Sequence, residues 1–99
     1  HLAPPSGHEI VVTTDALVCG VHFLAHHPPD LIARKALRVN LSDLAASGAR
    51  PWTYQLALAL SDDIDDAWLA AFCDGLATDQ REFGIDLTGG DTVSTPGPL

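Results

Sequence analysis

Basic side chains are scarce in this sequence of 99 residues. Lys35 is the only lysine, and with the arginines it makes five basic residues against 13 acidic ones, a formal net charge of −8. A protein that binds nucleic acid needs a basic surface to contact the phosphates, so this balance argues against such a partner. No glycine-rich loop precedes the lysine, and its place inside a predicted helix excludes a P-loop nucleotide site.

Long apolar runs and paired cysteines are missing as well. No run approaches the roughly 20 apolar residues that a membrane-spanning helix requires, and no basic-then-apolar signal peptide opens the chain. Cys19 and Cys73 stand apart, without the CxxC spacing typical of a metal site. We interpret them as reduced thiols rather than a disulfide, and we expect a cytoplasmic protein without a membrane partner.

Methionine is also absent, and the chain begins with His1. Residues 1–9 are rich in proline and glycine, which predicts a loop or a truncated end. Residues 10–99 have the apolar content of a modest domain with one core. We therefore expect 10–99 to form one domain, and the sequence to be a piece of something longer.

The first half of the chain predicts a strand followed by a helix. Residues 10–14 are largely β-branched and predict a strand that ends near Asp15. After a proline-flanked break, residues 30–47 have apolar side chains at helical spacing. Asp30 is the predicted N-cap of this helix, and Gly48 follows its end.

The second half predicts strand, helix and strand. Residues 52–60 alternate between large and small side chains, which is typical of a strand with one buried face. Residues 65–83 have an apolar stripe at helical spacing and predict a second helix. Residues 85–88 predict a last short strand, which runs into a turn at 89–92. This order predicts an α+β fold, a mixed or antiparallel sheet with two helices packed on one face.

Two short motifs offer oxygen ligands to a cation. Thr13, Thr14 and Asp15 place two hydroxyls and a carboxylate at a strand end, a set that Mg²⁺ accepts. Asn40 and Asp43 are spaced to share one face of the first helix, although such residues are unfavourable in helix interiors. Each motif has a structural alternative, a turn or cap for the first and a solvent-facing strip for the second.

The third motif is Gly89-Gly90-Asp91-Thr92, which follows the last predicted strand. Two glycines allow a backbone to approach a phosphate closely, and the next carboxylate can hold the accompanying cation. A tight turn without a ligand is the alternative. His22 lies in an apolar run, where a histidine is usually structural. The residues alone therefore indicate a phosphate site with metal ions, without showing that the motifs converge.

Four stretches in this order resemble the thiamine-monophosphate kinase family of the aminoimidazole ribonucleotide synthetase-like superfamily. They are VVTTDALVCGVHF (11–23), KALRVNLSDLAASGARP (35–51), DDAWLAAFCDGL (65–76) and GIDLTGGDT (84–92). The resemblance implies that residues 10–99 are part of the N-terminal metal- and ATP-binding domain of that fold. It also implies Mg²⁺-dependent transfer of the γ-phosphoryl group of ATP to thiamine monophosphate, giving thiamine diphosphate.

The resemblance also implies roles for individual residues. No protein nucleophile is expected, so it implies no catalytic residue, and Phe72 is better explained by packing than by nucleotide contact. His22 matches a substrate-contacting histidine. The implied metal ligands are Thr13, Thr14, Asp15, Asp43 and Asp91, and the implied ATP contacts are Gly90 and Asp91.

Two departures from the family pattern limit what the chain is expected to do alone. The family's upstream Gly-Asp-Asp-Ala segment and its C-terminal domain have no counterpart here, so we expect the piece to be inactive by itself. The family also pairs into homodimers through the sheets of this domain, and the small-residue face of 53–59 is the candidate surface. The rival interpretations are another enzyme of the superfamily, of the hydrogenase-maturation or selenophosphate synthetase type, and a non-catalytic acidic dimerisation module.

Overall fold

The computed structural model describes residues 3–95, in which two helices alternate with two strands. The segment before the first helix contains turns and an isolated bridge between Cys19 and Phe23. No helix in the described part is both long enough and apolar enough to cross a membrane. The elements, in chain order, are α1 (Pro29–Ala46), β1 (Thr53–Ser61), α2 (Asp66–Phe83) and β2 (Asp86–Thr95).

Helix α1 lies close to its predicted position but begins differently. Pro28 occupies the N-cap and Pro29 the first helical position, where the missing N–H of proline costs nothing. Asp30 therefore falls in the first turn, where the helix dipole favours a carboxylate, and its prediction as the N-cap was wrong. After the helix ends, Gly48 adopts a φ of 72°.

Helix α2 lies at its predicted position, and both of its ends are capped. The Asp65 side chain caps it by accepting a hydrogen bond of 2.8 Å from the backbone N–H of Trp68. At the other end Gly84 takes the left-handed conformation, with a φ of 65°, and donates its N–H to the carbonyl of Gln80. The predicted helix at 65–83 is confirmed to within one residue, with Asp65 as its cap instead of its first residue.

The two helices pack against each other and against one face of β1. Tyr54, Leu56 and Leu58 on that face are half-buried against the core, whereas alternate residues such as Gln55 and Ala57 are exposed. The prediction that the helices cover one face of the sheet is therefore confirmed. The buried apolar residues are Phe23, Ile32, Ala33, Leu37, Phe72, Leu76 and Ile85.

Strands β1 and β2 run parallel, with Thr53 opposite Asp86 and Ser61 opposite Thr95. The prediction of a mixed or antiparallel sheet was wrong for the described residues. The reason lies in the connection, because α2 carries the chain back along the sheet before β2 begins. A strand, helix and strand joined in this way form a parallel pair.

The predicted strand at 10–14 does not form. Residues 8–18 have no strand partner within the described part of the chain, and the Val12 side chain is 82% exposed. A β-branched run alone does not make a strand, because the backbone needs a hydrogen-bonding neighbour. The predicted ending of the last strand was also wrong, since β2 continues to Thr95 and includes the expected turn at 89–92.

A buried carboxylate joins the two helices. Asp79 on α2 has no solvent exposure, and its two oxygens accept hydrogen bonds from arginines on α1. Arg34 Nε lies 3.1 Å from Oδ1, while Arg38 Nε lies 3.1 Å from Oδ2 and its Nη2 lies 3.2 Å from Oδ1. The hydrogen bond to Asp79, together with the charges of Asp79 and Glu82, raises the pKa of the Arg38 guanidinium against the effect of burial.

Replacing Asp79 is expected to weaken the joint between the helices. In Asp79→Asn the new amide group turns a donor toward an arginine donor, so we expect unfolding to become easier by about 2–3 kcal/mol. Glu82→Gln is the matched control, because Glu82 is 53% exposed and an exposed pair contributes less than about 1 kcal/mol. Thermal and urea unfolding would measure both, and equal effects would contradict this assignment.

Tyr54 links β1 to α2 through its hydroxyl, which donates to Gln80 Oε1 at 2.8 Å. Burial, with a smaller contribution from Cys73, raises the pKa of the phenol above its ordinary 10.0. A raised pKa means that the folded protein keeps the proton more tightly than the unfolded chain. The associated stability is therefore complete below pH 10 and is lost as the pH rises through the folded pKa.

The alkaline unfolding profile tests this linkage. Tyr54 is the only tyrosine in the chain, so Tyr54→Phe should flatten the loss of stability above pH 10. It should also lower the free energy of unfolding near neutrality by about 1 kcal/mol, through loss of the hydrogen bond. Cys73→Ala keeps the phenol and should retain most of the alkaline fall. A profile unchanged in Tyr54→Phe would show that another group causes it.

Candidate functional site

An open groove of about 520 Å³ lies beside one face of α1. It brings Asp15, from the extended segment before the helix, together with Asp43 near the helix end. Both aspartates are exposed, and neither side chain has a hydrogen bond or ion pair within residues 3–95. They are therefore accessible to a cation. The groove is lined by Asp15, Lys35, Arg38, Val39, Ser42 and Asp43.

The two basic side chains of the groove, Arg38 and Lys35, differ in their bonding partners. Arg38 is held by Asp79 and by Glu82, whose Oε2 lies 3.1 Å from its Nη2, so its charge is largely neutralised. Lys35 forms no ion pair in the described part of the chain. Its ammonium donates instead to the backbone carbonyl of His22. The groove therefore combines two accessible carboxylates with one unneutralised ammonium.

Lys35 is the residue of this groove that sequence reasoning missed. Its mid-helix position was interpreted only as the absence of a P-loop lysine. The signal was nonetheless present, because Lys35, Val39 and Ser42 follow one another at spacings of four and three. Residues at this spacing share one side of a helix, next to Asp43. A helical projection centred on the predicted metal ligand would have included the lysine.

Asn40 does not line the groove, although the sequence placed it on a face with Asp43. Its amide nitrogen donates to the carbonyl of Ala36 at 2.9 Å, one turn earlier. Such bonding to the preceding turn explains how a polar side chain is held inside a helix. Asn40 Oδ1 is buried without a hydrogen-bond partner among the described residues. Ser47, further along, donates its hydroxyl to the carbonyl of Asp43 at 3.1 Å.

Asp91 and Gly90 lie apart from the first two aspartates. They line a second groove, of about 300 Å³, on the strand pair. Thr13 is half-buried and Thr14 exposed, and neither lines either groove. Within residues 3–95, no three histidine, cysteine, aspartate or glutamate side chains form a cluster able to hold a metal ion. The structure thus brings together two of the three predicted aspartates.

The residues of the first groove fit a hard cation in part. Two carboxylates supply oxygen ligands of the kind that Mg²⁺ prefers, and Mg²⁺ usually completes its shell with waters and phosphate oxygens. Asp15 and Asp43 would hold it. Bound there, the cation would neutralise phosphate charge, as metal ions do in phosphoryl transfer.

Gly90 is required by the close contact of the two strands. It adopts a φ of 146°, and a Cβ atom built on it would lie 1.7 Å from the carbonyl oxygen of Leu56. The pairing also shifts register beside it, between Tyr54 and Gln55. Thr88, at this irregularity, donates its hydroxyl to the carbonyl of Tyr54 at 3.3 Å. The backbone on either side of Asp91 is therefore held tightly against β1.

His22 is held in a compact turn that touches α1. Its Nδ1 accepts a hydrogen bond of 2.8 Å from the backbone N–H of Val18, and its carbonyl accepts from Lys35. The side chain is exposed, unlike that of a core histidine. Phe72, by contrast, is 3% exposed and stacks on Trp68 with ring centroids 5.1 Å apart. Its interpretation as a packing residue is confirmed.

Comparison with known proteins identifies the family. The family model described as AIR synthase related protein, N-terminal domain, matches residues 1–99. The chain belongs to this family. The aminoimidazole ribonucleotide synthetase-like fold that the resemblance implied is therefore confirmed. The solved relatives are similar in backbone as well as in sequence.

Relatives from different bacteria share one name. The chain is 53% identical over 93 residues to the thiamine-monophosphate kinase of Caulobacter vibrioides, covering 94% of this chain and 26% of that protein. It is 48% identical over 95 residues to that of Escherichia coli K12, covering 96% and 28%. The chain thus spans little more than a quarter of the curated relatives it matches.

Solved structures of similar proteins belong to the same group of enzymes. The thiamine-monophosphate kinase of Stenotrophomonas maltophilia matches with a TM-score of 0.87 and 44% identity, over 94% of this chain and 29% of that one. A structure of AaThiL complexed with AMPPCP and TMP matches with a TM-score of 0.74 and 29% identity, over 77% and 25%.

The contact at Gly90 gives a stability prediction. Gly90→Ala forces the new methyl group into the Leu56 carbonyl, so we expect a loss of about 3 kcal/mol from overpacking, or failure of the strands to pair. Gly89→Ala is the matched control. Gly89 also has a positive φ, but its nearest added contact is the flexible Gln55 side chain at 3.9 Å. Urea unfolding would compare them, and equal losses would show that backbone strain outweighs the contact.

Proposed function

We propose that this chain is the N-terminal part of a thiamine-monophosphate kinase. The reaction is Mg²⁺-dependent transfer of the γ-phosphoryl group of ATP to thiamine monophosphate, which yields thiamine diphosphate. One observation carries the proposal. In a member of this family, Asp15 and Asp43 come from separate segments and line one groove with accessible carboxylates. The relatives' names supply the substrate, and the complex with AMPPCP and TMP supports two phosphorylated ligands in one protein.

In this proposal the two grooves serve different parts of the reactants. Asp15 and Asp43 bind Mg²⁺ beside α1, with Thr13 and Thr14 supplying nearby hydroxyls and Asp91 a further carboxylate from β2. The second groove receives ATP, where Gly90 exposes backbone and Asp91 faces the cation that accompanies the phosphates. His22 contacts thiamine monophosphate.

The charge of the groove suits this chemistry. Two phosphorylated reactants repel each other and also repel a protein of net charge −8. Metal ions held by the aspartates would supply the neutralising charge that lysines supply in other kinases. Lys35 adds one further positive charge at the same place. The residues of the chain bind and orient the reactants, and none of them acts as a nucleophile.

The chain spans little more than a quarter of the length of these relatives. We propose that 10–99 form part of the metal- and ATP-binding domain, that 1–9 lead into it, and that the piece alone is inactive. A homodimer formed through the exposed small-residue face of β1, where Gln55, Ala57 and Ala59 lie, is also part of the proposal. So is a cytoplasmic location, which suits an enzyme that consumes ATP.

The decisive experiment removes one carboxylate charge from the groove. Asp43→Asn, made in the natural protein that contains this chain, should lower kcat at least about 100-fold, because charge stabilisation of the transferring phosphoryl group is lost. Thermal unfolding should change little, since the Asp43 side chain has no structural partner in the described residues. Thiamine diphosphate formation would be measured over a range of Mg²⁺ concentrations.

A surface aspartate outside both grooves provides the control. Asp74→Asn changes an exposed carboxylate on α2 and should leave turnover and its Mg²⁺ dependence as in the unmodified protein. Asp15→Asn should repeat the loss seen in Asp43→Asn. If Asp43→Asn retained normal turnover at every Mg²⁺ concentration, the proposed site would be wrong.

A further inference from the structure

The turn that contains His22 is held by several hydrogen bonds, although it is exposed. The backbone N–H groups of Val21 and His22 both donate to the carbonyl of Val18, at 3.1 and 2.9 Å. Gly20, with a φ of 83°, donates its N–H to the carbonyl of Phe23 at 2.7 Å. Phe23 is buried in the core and anchors the turn. Four consecutive residues are thus fixed around the imidazole.

The ring itself is fixed by a donor that cannot reverse its role. A backbone N–H only donates, so Nδ1 of His22, 2.8 Å from the N–H of Val18, must carry a lone pair. In the neutral imidazole the proton then resides on Nε2. Because the side chain is exposed, this Nε2–H is available to a molecule that arrives from solvent.

The lysine of the groove completes the arrangement. Lys35 donates from its ammonium to the carbonyl of His22, which joins the turn to α1. The same side chain lines the groove with Asp15 and Asp43. The position of the imidazole is therefore tied to the element that carries the proposed metal ligand.

We infer that the turn and Lys35 hold His22 as the Nε2–H tautomer, so that it serves as a hydrogen-bond donor to an anionic oxygen of the ligand. This inference rests on the proposed function for the identity of the ligand, which is a phosphate monoester. Val18 and Lys35 are positioning groups that act through His22. A phosphate oxygen accepts hydrogen bonds only, so a fixed donor recognises it, whereas the opposite tautomer would present a lone pair and repel it.

The tautomer can be measured without any ligand. Long-range proton–nitrogen NMR spectra of histidine-labelled protein distinguish a protonated ring nitrogen from an unprotonated one. We expect His22 to show unprotonated Nδ1 and protonated Nε2 as a single species at a pH where the ring is neutral. A proton on Nδ1, or an even mixture of the tautomers, would overturn the inference whether or not the protein is a kinase.

His27 offers an internal control for the role of the lysine. Its Nδ1 also accepts from a backbone N–H, that of Leu24 at 3.2 Å, but no lysine is tied to its turn. In Lys35→Met, which keeps most of the apolar stem, we expect the His22 signals to broaden or shift toward a mixture and the His27 signals to stay unchanged. Unchanged His22 signals would remove Lys35 from the inference.

Two isosteric substitutions separate the nitrogens of His22 in a binding experiment. His22→Gln places an amide N–H near the position of Nε2, whereas His22→Asn replaces only the Nδ1 side of the ring. Binding of thiamine monophosphate, with Mg²⁺ and a non-hydrolysable ATP analogue, would be compared with binding of thiamine. We expect His22→Asn to bind the monophosphate roughly 10- to 100-fold more weakly, as for loss of one hydrogen bond to a charged group, and His22→Gln to recover much of it.

The outcomes of this binding experiment distinguish a failure of the donor role of His22 from a failure of the proposed function. Equal weakening in both variants, or equal weakening for thiamine and its monophosphate, would overturn the donor role while leaving the kinase assignment intact. If the unmodified protein bound no thiamine monophosphate at all, the proposed function would fail, and with it the donor role toward that ligand. His27→Asn should bind as the unmodified protein does.

Discussion

The buried carboxylate of Asp79 is the interaction on which the remainder of the fold depends. It holds Arg34 and Arg38, one turn apart on α1, against α2, and so sets how the two helices lie together. A charge without solvent contact is tolerated only when it is fully hydrogen-bonded, and here both oxygens are satisfied. The aliphatic part of the helix interface then closes around Ala33 and Leu37.

The same ion pair affects the charge of the candidate site. Arg38 lies between Asp79 and the groove, with its guanidinium also 5.5 Å from the centre of the Phe83 ring. The charge of Arg38 is paired with the carboxylates of Asp79 and Glu82 on α2. The groove therefore keeps the negative charges of Asp15 and Asp43, with Lys35 as its one unpaired positive charge among the described residues. A structural ion pair thus determines how much positive charge the site has before any cation binds.

The sequence predicted the local features of this fold better than the long-range ones. The bounds of α2 depend on neighbouring residues, so apolar spacing located them to within one residue. The direction of β2 and the missing strand before Asp15 depend on which segments pair, and that information lies in the connection through α2. The prediction of a turn at Gly89-Gly90 was wrong for a similar reason. Glycines occur in turns and also where two strands lie very close together, and only the pairing with β1 distinguishes the two.

The site was predictable to a similar degree. The chemistry of Asp15 and Asp43 was readable from residue type, and their motifs placed them in one family, but only the folded chain brings them to one groove. Asp91 was grouped with them on motif alone, and its strand keeps it in a groove of its own. Lys35 escaped notice because a lysine in a helix is usually a solvated charge, and its contact with the His22 carbonyl depends on a turn distant in sequence.

The close approach of β1 to Gly90 also limits how this protein can change. Any codon change that alters this residue adds a side chain where the Leu56 carbonyl already lies. Leu87 and Thr92, which line the same groove, are exposed instead, so a change at either residue disturbs the strand pair less. The edge of the second groove can therefore change, while its floor stays the bare backbone of one glycine.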